Sequence, residues 1–313
     1  MSLMFFWMFF VTALMAWILG NVIAWGVSHT KVCSSVKNER RLLWFAATMP
    51  LSLPILISVS LVILSIAKLT GWLDDHCLTH SLHHPHFCLV HFPEVTLSTI
   101  QSGLWICVIM VLTSAFIYRA AYKIKALYQR NQLARLVQPN KLFQLFEHRQ
   151  LLAFTSGVFS PKIFMSTGIM KYLTKREQRI VLAHESAHIR RKDVFKNIWF
   201  EIFLTFHLSP GKLQKRWQLS TEIRADQDVA NQFNQLEVAE VLLKLARCQQ
   251  SNLYPVSILG SEVEQRIRFL LEREQSKTKF FSSNIMLWSY FLLLPLLVVS
   301  NHHAIETFIG WIL

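Results

Sequence analysis

Residues 181–193 read VLAHESAHIRRKD, and the reading of the chain turns on whether the H-E-x-x-H inside it, His184 to His188, lies on a metal-carrying helix. With 13 histidines and 14 glutamates in 313 residues, the pattern arises by chance in roughly one such chain in forty, so the flanking residues have to decide. Upstream, T-K-R-E at 174–177 is a capping box, with Thr174 as N-cap and Glu177 three residues on. It predicts a helix running through HESAH to about Lys192. On such a helix His184 and His188 project from one face, one turn apart, and Glu185 lies beside them within reach of a water at the ion. Zinc in a catalytic site takes three protein ligands and leaves a position open, so a third ligand is required. Glu222 is the candidate. It lies 34 residues after His188 in STEIRADQDVA, at the start of a second predicted helix near Ser220. Asp226 is one turn further on the same face, and Ala225 between them allows another helix to approach closely.

Outward from this segment the chain becomes apolar. Leu3 to Val27 is 25 residues without a charge, enough at about 1.5 Å per residue to cross a hydrocarbon core of about 30 Å. Leu42 to Ala67, Leu97 to Tyr118 and Phe280 to Ser300 read the same way, which predicts four transmembrane helices. The second is expected to kink at Pro50 and Pro54. The first run has no Lys or Arg before it and reads as a membrane helix, not a cleaved signal. Charge sets the expected orientation. Lys31, Lys37, Arg40 and Arg41 follow the first helix, 27 basic residues lie between Arg119 and Lys279, and only Lys68 is left for the other side. The positive-inside rule then places both termini outside a cell (inner) membrane and the 119–279 segment in the cytosol.

Three regions follow. Residues 1–118 hold three membrane helices and an outer loop at 74–94, residues 119–279 form the polar segment, and residues 280–313 form the fourth helix with a short tail. The polar segment holds 27 basic and 14 acidic residues, so it carries a balance equal to the net charge of the chain, +13. No helix-turn-helix or zinc-finger pattern accompanies it. A face drawn to anionic lipid headgroups is therefore expected, and no direct nucleic-acid partner. Within it, Arg119 to Val137 continues the third helix. AFTSGVFSPKIFMSTG reads as short strands with a turn near Ser160 and Pro161, and EVAEVLLKLARC and SEVEQRIRFLLERE read as packing helices.

HESAH with E-I-R-A-D downstream resembles the gluzincin membrane peptidases: the CAAX prenyl proteases, the HtpX-type quality-control proteases and the BlaR and MecR β-lactam sensors. VLAHESAHIRRKD, SPKIFMSTGIM and SEVEQRIRFLLERE are most similar to the sensors, as is a peptidase placed between the third and fourth membrane helices. The resemblance implies that His184, His188 and Glu222 bind one zinc ion, that Glu185 is the general base, and that Asp226 assists as proton donor or transition-state stabiliser. The expected fold is thus mostly α, with four transmembrane helices and a cytosolic α+β zincin-like domain inserted between the third and fourth. The expected activity is zinc endopeptidase cleavage of a protein, either a cytosolic repressor, as in the sensors, or damaged membrane proteins, as in the quality-control enzymes. A non-catalytic sensor in which zinc only stabilises the domain is the alternative class, and the presence of Glu185 speaks against it. The sequence ends 13 residues after Ser300 and has no K-T-G after its S-x-x-K matches, so no penicillin-binding domain is expected.

Three readings stay open at this stage. Asp193 either orients a ligand histidine from behind or ends a basic helix. VFSPKIFMS either pairs with an extended substrate or is an ordinary core strand. The outer loop has six histidines between His76 and His91, with Cys77 and Cys88 among them. It is either a metal-sensing element or a cap stapled by a disulfide.

Overall fold

The computed structural model describes residues 3–30, 35–72, 98–135, 143–158, 160–250, 256–272 and 283–312. The outer loop, with its histidines and its cysteine pair, lies outside the described residues. Three helices are long and apolar enough to cross a membrane: α1 (Leu3–His29), α2 (Val36–Leu69) and α3 (Thr99–Arg135), the last over Thr99–Ala126. Of the four expected spans, the last is met only by a broken helix. There α10 (Ser283–Ser300) turns by 67° into α11 (His302–Ile312), and the pair passes as a span only when the two are taken together.

After the C-terminal part of α3, the polar segment supplies three strands, β1 (Phe143–Phe146), β2 (Ala153–Ser156) and β3 (Lys162–Ser166). Their order is β1-β3-β2, with β1 parallel and β2 antiparallel to β3. The stretch VFSPKIFMS therefore supplies the central strand. With a neighbour on each side, β3 has no edge to offer a substrate. Ile163, Phe164 and Met165 are buried, as a core strand requires. Five helices then follow a short α4 (Thr167–Tyr172): α5 (Lys175–Arg190), α6 (Asp193–Leu204), α7 (Gly211–Ala230), α8 (Gln235–Gln250) and α9 (Val256–Leu271). Apolar residues of β3, α4, α5, α7, α8 and α9 form one core, with Met165, Ile169, Ile180, Val229 and Val241 at its centre.

The polar segment and the membrane helices share a second core. Helix α2 has 34 residues, about 51 Å at about 1.5 Å per residue, so it outruns a hydrocarbon core of about 30 Å. Its N-terminal part packs on α6 and α7, burying Leu43, Ala46 and Ala47 against Phe200, Leu204, Leu213 and Trp217. The apolar run around α6, IWFEIFLTFHL, is too short to span a membrane and of the length of a buried core helix or a re-entrant segment. Its tip, Thr205 to Leu208, is inserted among α1, α2 and α3. Trp17 Nε1 donates to the Phe206 carbonyl at 2.8 Å, His207 Nε2 to the Ala47 carbonyl at 2.9 Å, Arg119 Nη1 to the His207 carbonyl at 2.8 Å, and the Leu208 amide to Asn21 Oδ1 at 2.8 Å. Polar groups on apolar helices need such partners, because lipid offers none.

Helices α1 and α2 meet closely at Gly20, where an added Cβ would stand 2.9 Å from the Met49 carbonyl oxygen and 2.9 Å from Pro50 Cα. Gly26, one and a half turns on, faces open space. Gly20→Ala is expected to lower stability by about 1–3 kcal/mol through overpacking, whereas Gly26→Ala should leave it unchanged or raise it by up to about 1 kcal/mol, since alanine favours a helix interior. Thermal melts of the two variants in one detergent check this, and equal melting temperatures would show that the helices do not approach at Gly20.

Candidate metal centre

Local sequence builds α5 as expected. Thr174 accepts from the Glu177 amide, the Glu177 side chain accepts from the Thr174 amide at 2.7 Å, and the reciprocal cap satisfies two donors that a helix start leaves orphaned. The helix ends at Arg190, not Lys192. Lys192 adopts the left-handed conformation at φ 56°, a strained state for a side-chain-bearing residue that costs about 1–2 kcal/mol. That turn starts α6 at once and folds its first residue, Asp193, back toward α5.

Helix α7 lies across α5, with Ala187 and Ala225 both wholly buried. The small pair fits the close crossing anticipated from Ala225. Across the crossing three candidate ligand side chains converge. His184 Nε2 lies 3.2 Å from His188 Nε2 and 3.2 Å from Glu222 Oε2, and His188 Nε2 lies 3.6 Å from Glu222 Oε1. Nitrogen and oxygen ligands held about 2.0–2.2 Å from a tetrahedral ion are separated by about 3.3–3.6 Å. The spacing and chemistry of this donor set fit zinc.

The other ring nitrogen of each histidine is committed to a carboxylate. His184 Nδ1 is 2.9 Å from Asp226 Oδ1, and His188 Nδ1 is 3.0 Å from Asp193 Oδ2. A carboxylate behind a ligand histidine fixes the ring and its tautomer and makes Nε2 the better donor. Of the two readings of Asp193, the contact with His188 favours the orienting one. Both carboxylates are buried, Asp226 completely. Arg266 of α9 grips Asp226 with two bonds, Nε to Oδ2 at 2.7 Å and Nη2 to Oδ1 at 2.8 Å, and stands 3.4 Å from Glu222 through Nη1. Glu185 is also buried, and its Oε2 accepts from Thr155 Oγ1 of β2 at 2.8 Å.

Sequence reasoning missed Arg266 and Thr155. The signal for Arg266 was available: it falls on the same face as Val263, Ile267 and Leu270, so a cation sat on the buried side of an amphipathic helix. Thr155 gave no such signal, since a threonine in a strand is ordinary.

Residues 119–253 match the sequence model of peptidase family M48. No curated protein matches the chain significantly. The match supports a zinc-dependent metalloprotease, and it contains His184, His188 and Glu222, while ending before Arg266. The apolar helices are compatible with membrane association.

A second group of possible ligands, His302, His303 and Glu306, comes from the first turns of α11. His303 Nδ1 lies 3.4 Å from Glu306 Oε2, and His302 Nδ1 donates to the Val299 carbonyl at 2.7 Å. His303 thus stands beside the buried Glu306 carboxyl, a polar neighbour of the kind such a buried group ordinarily requires.

The first site is strongly polarised. Burial alone would lower the proton affinity of His184, but hydrogen bonds and charge from Asp226 and Glu222 outweigh it and raise its pKa to about 10. Burial pushes the Glu222 carboxyl up, yet His184, Arg266 and His188 hold it well below the usual carboxylate range. A proton and a metal ion compete for the same lone pair of His184, so zinc must displace a proton whenever the pH is below that raised value. Zinc uptake near neutral pH is expected to release about one proton, and affinity should rise about tenfold per pH unit up to about pH 10. Calorimetry of zinc binding in two buffers of different ionisation enthalpy measures this. A pH-independent affinity with no proton release would contradict the assignment.

Proposed function

We propose that the chain is a membrane-embedded zinc metalloendopeptidase that cleaves a protein on the cytosolic side in regulated signalling, for example by inactivating a repressor. The observation that carries the reading is the convergence of His184 Nε2, His188 Nε2 and the Glu222 carboxylate within 4.8 Å of one another, with Glu185 lining the same cleft. One zinc ion held there supplies Lewis acidity toward a peptide carbonyl and toward water.

The remaining chemistry belongs to side chains of this chain. Glu185 takes a proton from the attacking water as the C–O bond forms, then delivers it to the amide nitrogen as the C–N bond breaks. Thr155 holds Oε2 of Glu185 and so limits its rotation. Asp226, with both oxygens engaged by Arg266 and one also by His184, acts on the reaction through His184. That gives it a positioning role in place of the proton-donor or stabilising role the resemblance suggests.

Substrate placement follows from the sheet. Strand β2 is at its edge and carries Thr155 to Glu185, so a peptide laid along β2 in extended form comes past the metal centre. The adjoining cleft of 180 Å³ is walled by Val181, Val238, Leu242 and Val263, which suits one apolar side chain. The cytosolic orientation is supported by the concentration of Lys and Arg in 119–279.

Glu185→Gln is expected to keep zinc, since Glu185 is not a ligand, and to lose cleavage by several orders of magnitude. His184→Ala and Glu222→Ala should lose both. Metal content and cleavage measured on the three reconstituted variants check this, and Glu185→Gln turning over at the wild-type rate would end the peptidase reading. The inactive Glu185→Gln protein in native membranes should also retain its substrate. A cytosolic DNA-binding protein supports signalling, and an assortment of misfolded membrane proteins would replace it with quality control.

Orientation has its own test. Reporters fused within 200–270 are expected to read as cytosolic, and reporters near Ser81 as external. A cytosolic signal near Ser81 would invert the topology.

A further inference from the structure

The segment matched to peptidase family M48 begins at residue 119, yet a cation that reaches the metal centre comes from residue 40. Arg40 lies in the first turns of α2 and is 5% exposed. Its guanidinium is held on three sides. Nη1 donates to Thr221 Oγ1 at 2.6 Å, Nη2 stands 3.6 Å from Asp193 Oδ1, and Cζ lies 4.0 Å above the ring of Trp217. Asp193 accepts from His188 with its other oxygen, and Thr221 immediately precedes Glu222. Arg40 thus touches the residue behind one metal ligand and the neighbour of another.

The hairpin that carries Arg40 is tied to the same helix. Arg216 of α7 donates through Nε to Glu39 Oε1 at 2.8 Å and through Nη1 to the Val27 carbonyl at 2.7 Å, so the C-terminal end of α1 and the N-terminal end of α2 are both fastened to α7. Asp193 is 2% exposed, and its Oδ1 has no hydrogen-bond donor among the described residues. A carboxylate so buried requires charged or hydrogen-bonding partners; Arg191 and Lys196 also act on it through charge, and Arg40 is the cation that faces Oδ1. Through Oδ2 it holds Nδ1 of His188 and turns Nε2 toward the candidate metal position. The planar guanidinium can face Asp193, meet Thr221 and stack on Trp217 together, a combination a lysine ammonium cannot reproduce.

We propose that Arg40 is a positioning residue of the metal centre. From the membrane hairpin it holds Asp193, and through Asp193 the ring of His188, so the seating of α1 and α2 on α6 and α7 sets metal affinity. The proposal rests on the reading of His184, His188 and Glu222 as a zinc site and goes beyond it, by making a membrane helix part of that site.

The test uses the full chain in lipid nanodiscs, with zinc affinity measured by chelator competition and the cobalt-substituted protein followed by its visible absorption. Arg40→Gln is expected to weaken zinc binding about tenfold or more and to shift the cobalt bands, with Asp193→Asn doing the same. The double variant should be no weaker than Asp193→Asn alone, because the two residues act in series. Arg40→Lys, which restores the charge without the fork, should recover part of the loss. Wild-type affinity and an unchanged cobalt spectrum in Arg40→Gln would overturn the proposal, as would losses that multiply in the double variant. If Arg40→Gln does not hold its fold, Arg40→Lys decides: it should weaken zinc binding several-fold in the wild-type background and have no effect beside Asp193→Asn, and equal effects in both overturn the idea. A wild-type chain that takes up no zinc, or a His184→Ala variant that keeps it, removes the zinc site itself and is read separately from any Arg40 result.

Discussion

Two imidazoles can present Nε2 to a common point only while something else holds their Nδ1 hydrogens, and in this protein both are held by buried carboxylates. That commitment organises much of the surrounding structure. Asp226 sits without solvent behind His184, so it needs Arg266, and α9 must pack where it does to deliver it. Asp193 sits behind His188, so the chain turns sharply at Lys192 to bring it there. It gains from lying at the start of α6, where the helix dipole favours an anion, and Arg40 of α2 stands near its other oxygen. The candidate metal ligands come from two helices, but their orientation draws on four.

What the sequence made legible was whatever is decided locally. The capping box at Thr174 and Glu177 and the one-turn spacing of His184 and His188 each depend on residues a few positions apart, so pattern and structure coincide. Glu222 and Asp226 were readable as a pair on one helix face for the same reason. Asp193 was visible only as two open alternatives, because its meaning depends on a left-handed turn at a lysine that no residue type announces. Arg266, Thr155 and Arg40 act across long sequence separations, and nothing in their immediate neighbourhood names a partner. Strand order failed likewise: the stretch around Lys162 reads as a strand from its composition, but whether it is central or at the edge depends on where Phe143–Phe146 docks.

The membrane-facing part shows the same division. Long apolar runs identify α1, α2 and α3, and their exposed side chains, such as Leu19, Ile63 and Ile117, have the character of surfaces that meet lipid. Asn21 and Trp17 are the exceptions on α1, and they are explained by a tip of backbone at Thr205 to Leu208 that supplies their hydrogen-bond partners. An apolar run of the length seen at α6 is ambiguous by itself. Its role emerges only once three other helices surround its end.

Helix α6 joins that tip to Asp193, and through it to His188. It has twelve residues, which at about 1.5 Å per residue makes a rigid strut of about 18 Å. One end is seated among the apolar helices and the other is hydrogen-bonded to His188, so the candidate metal centre stands at a fixed distance from the level of Ala47 and Asn21. Such a strut works as a ruler. Under the peptidase reading proposed above, it would present for cutting those peptide bonds tethered at one distance from the apolar helices, and leave uncut those further out along the same polypeptide.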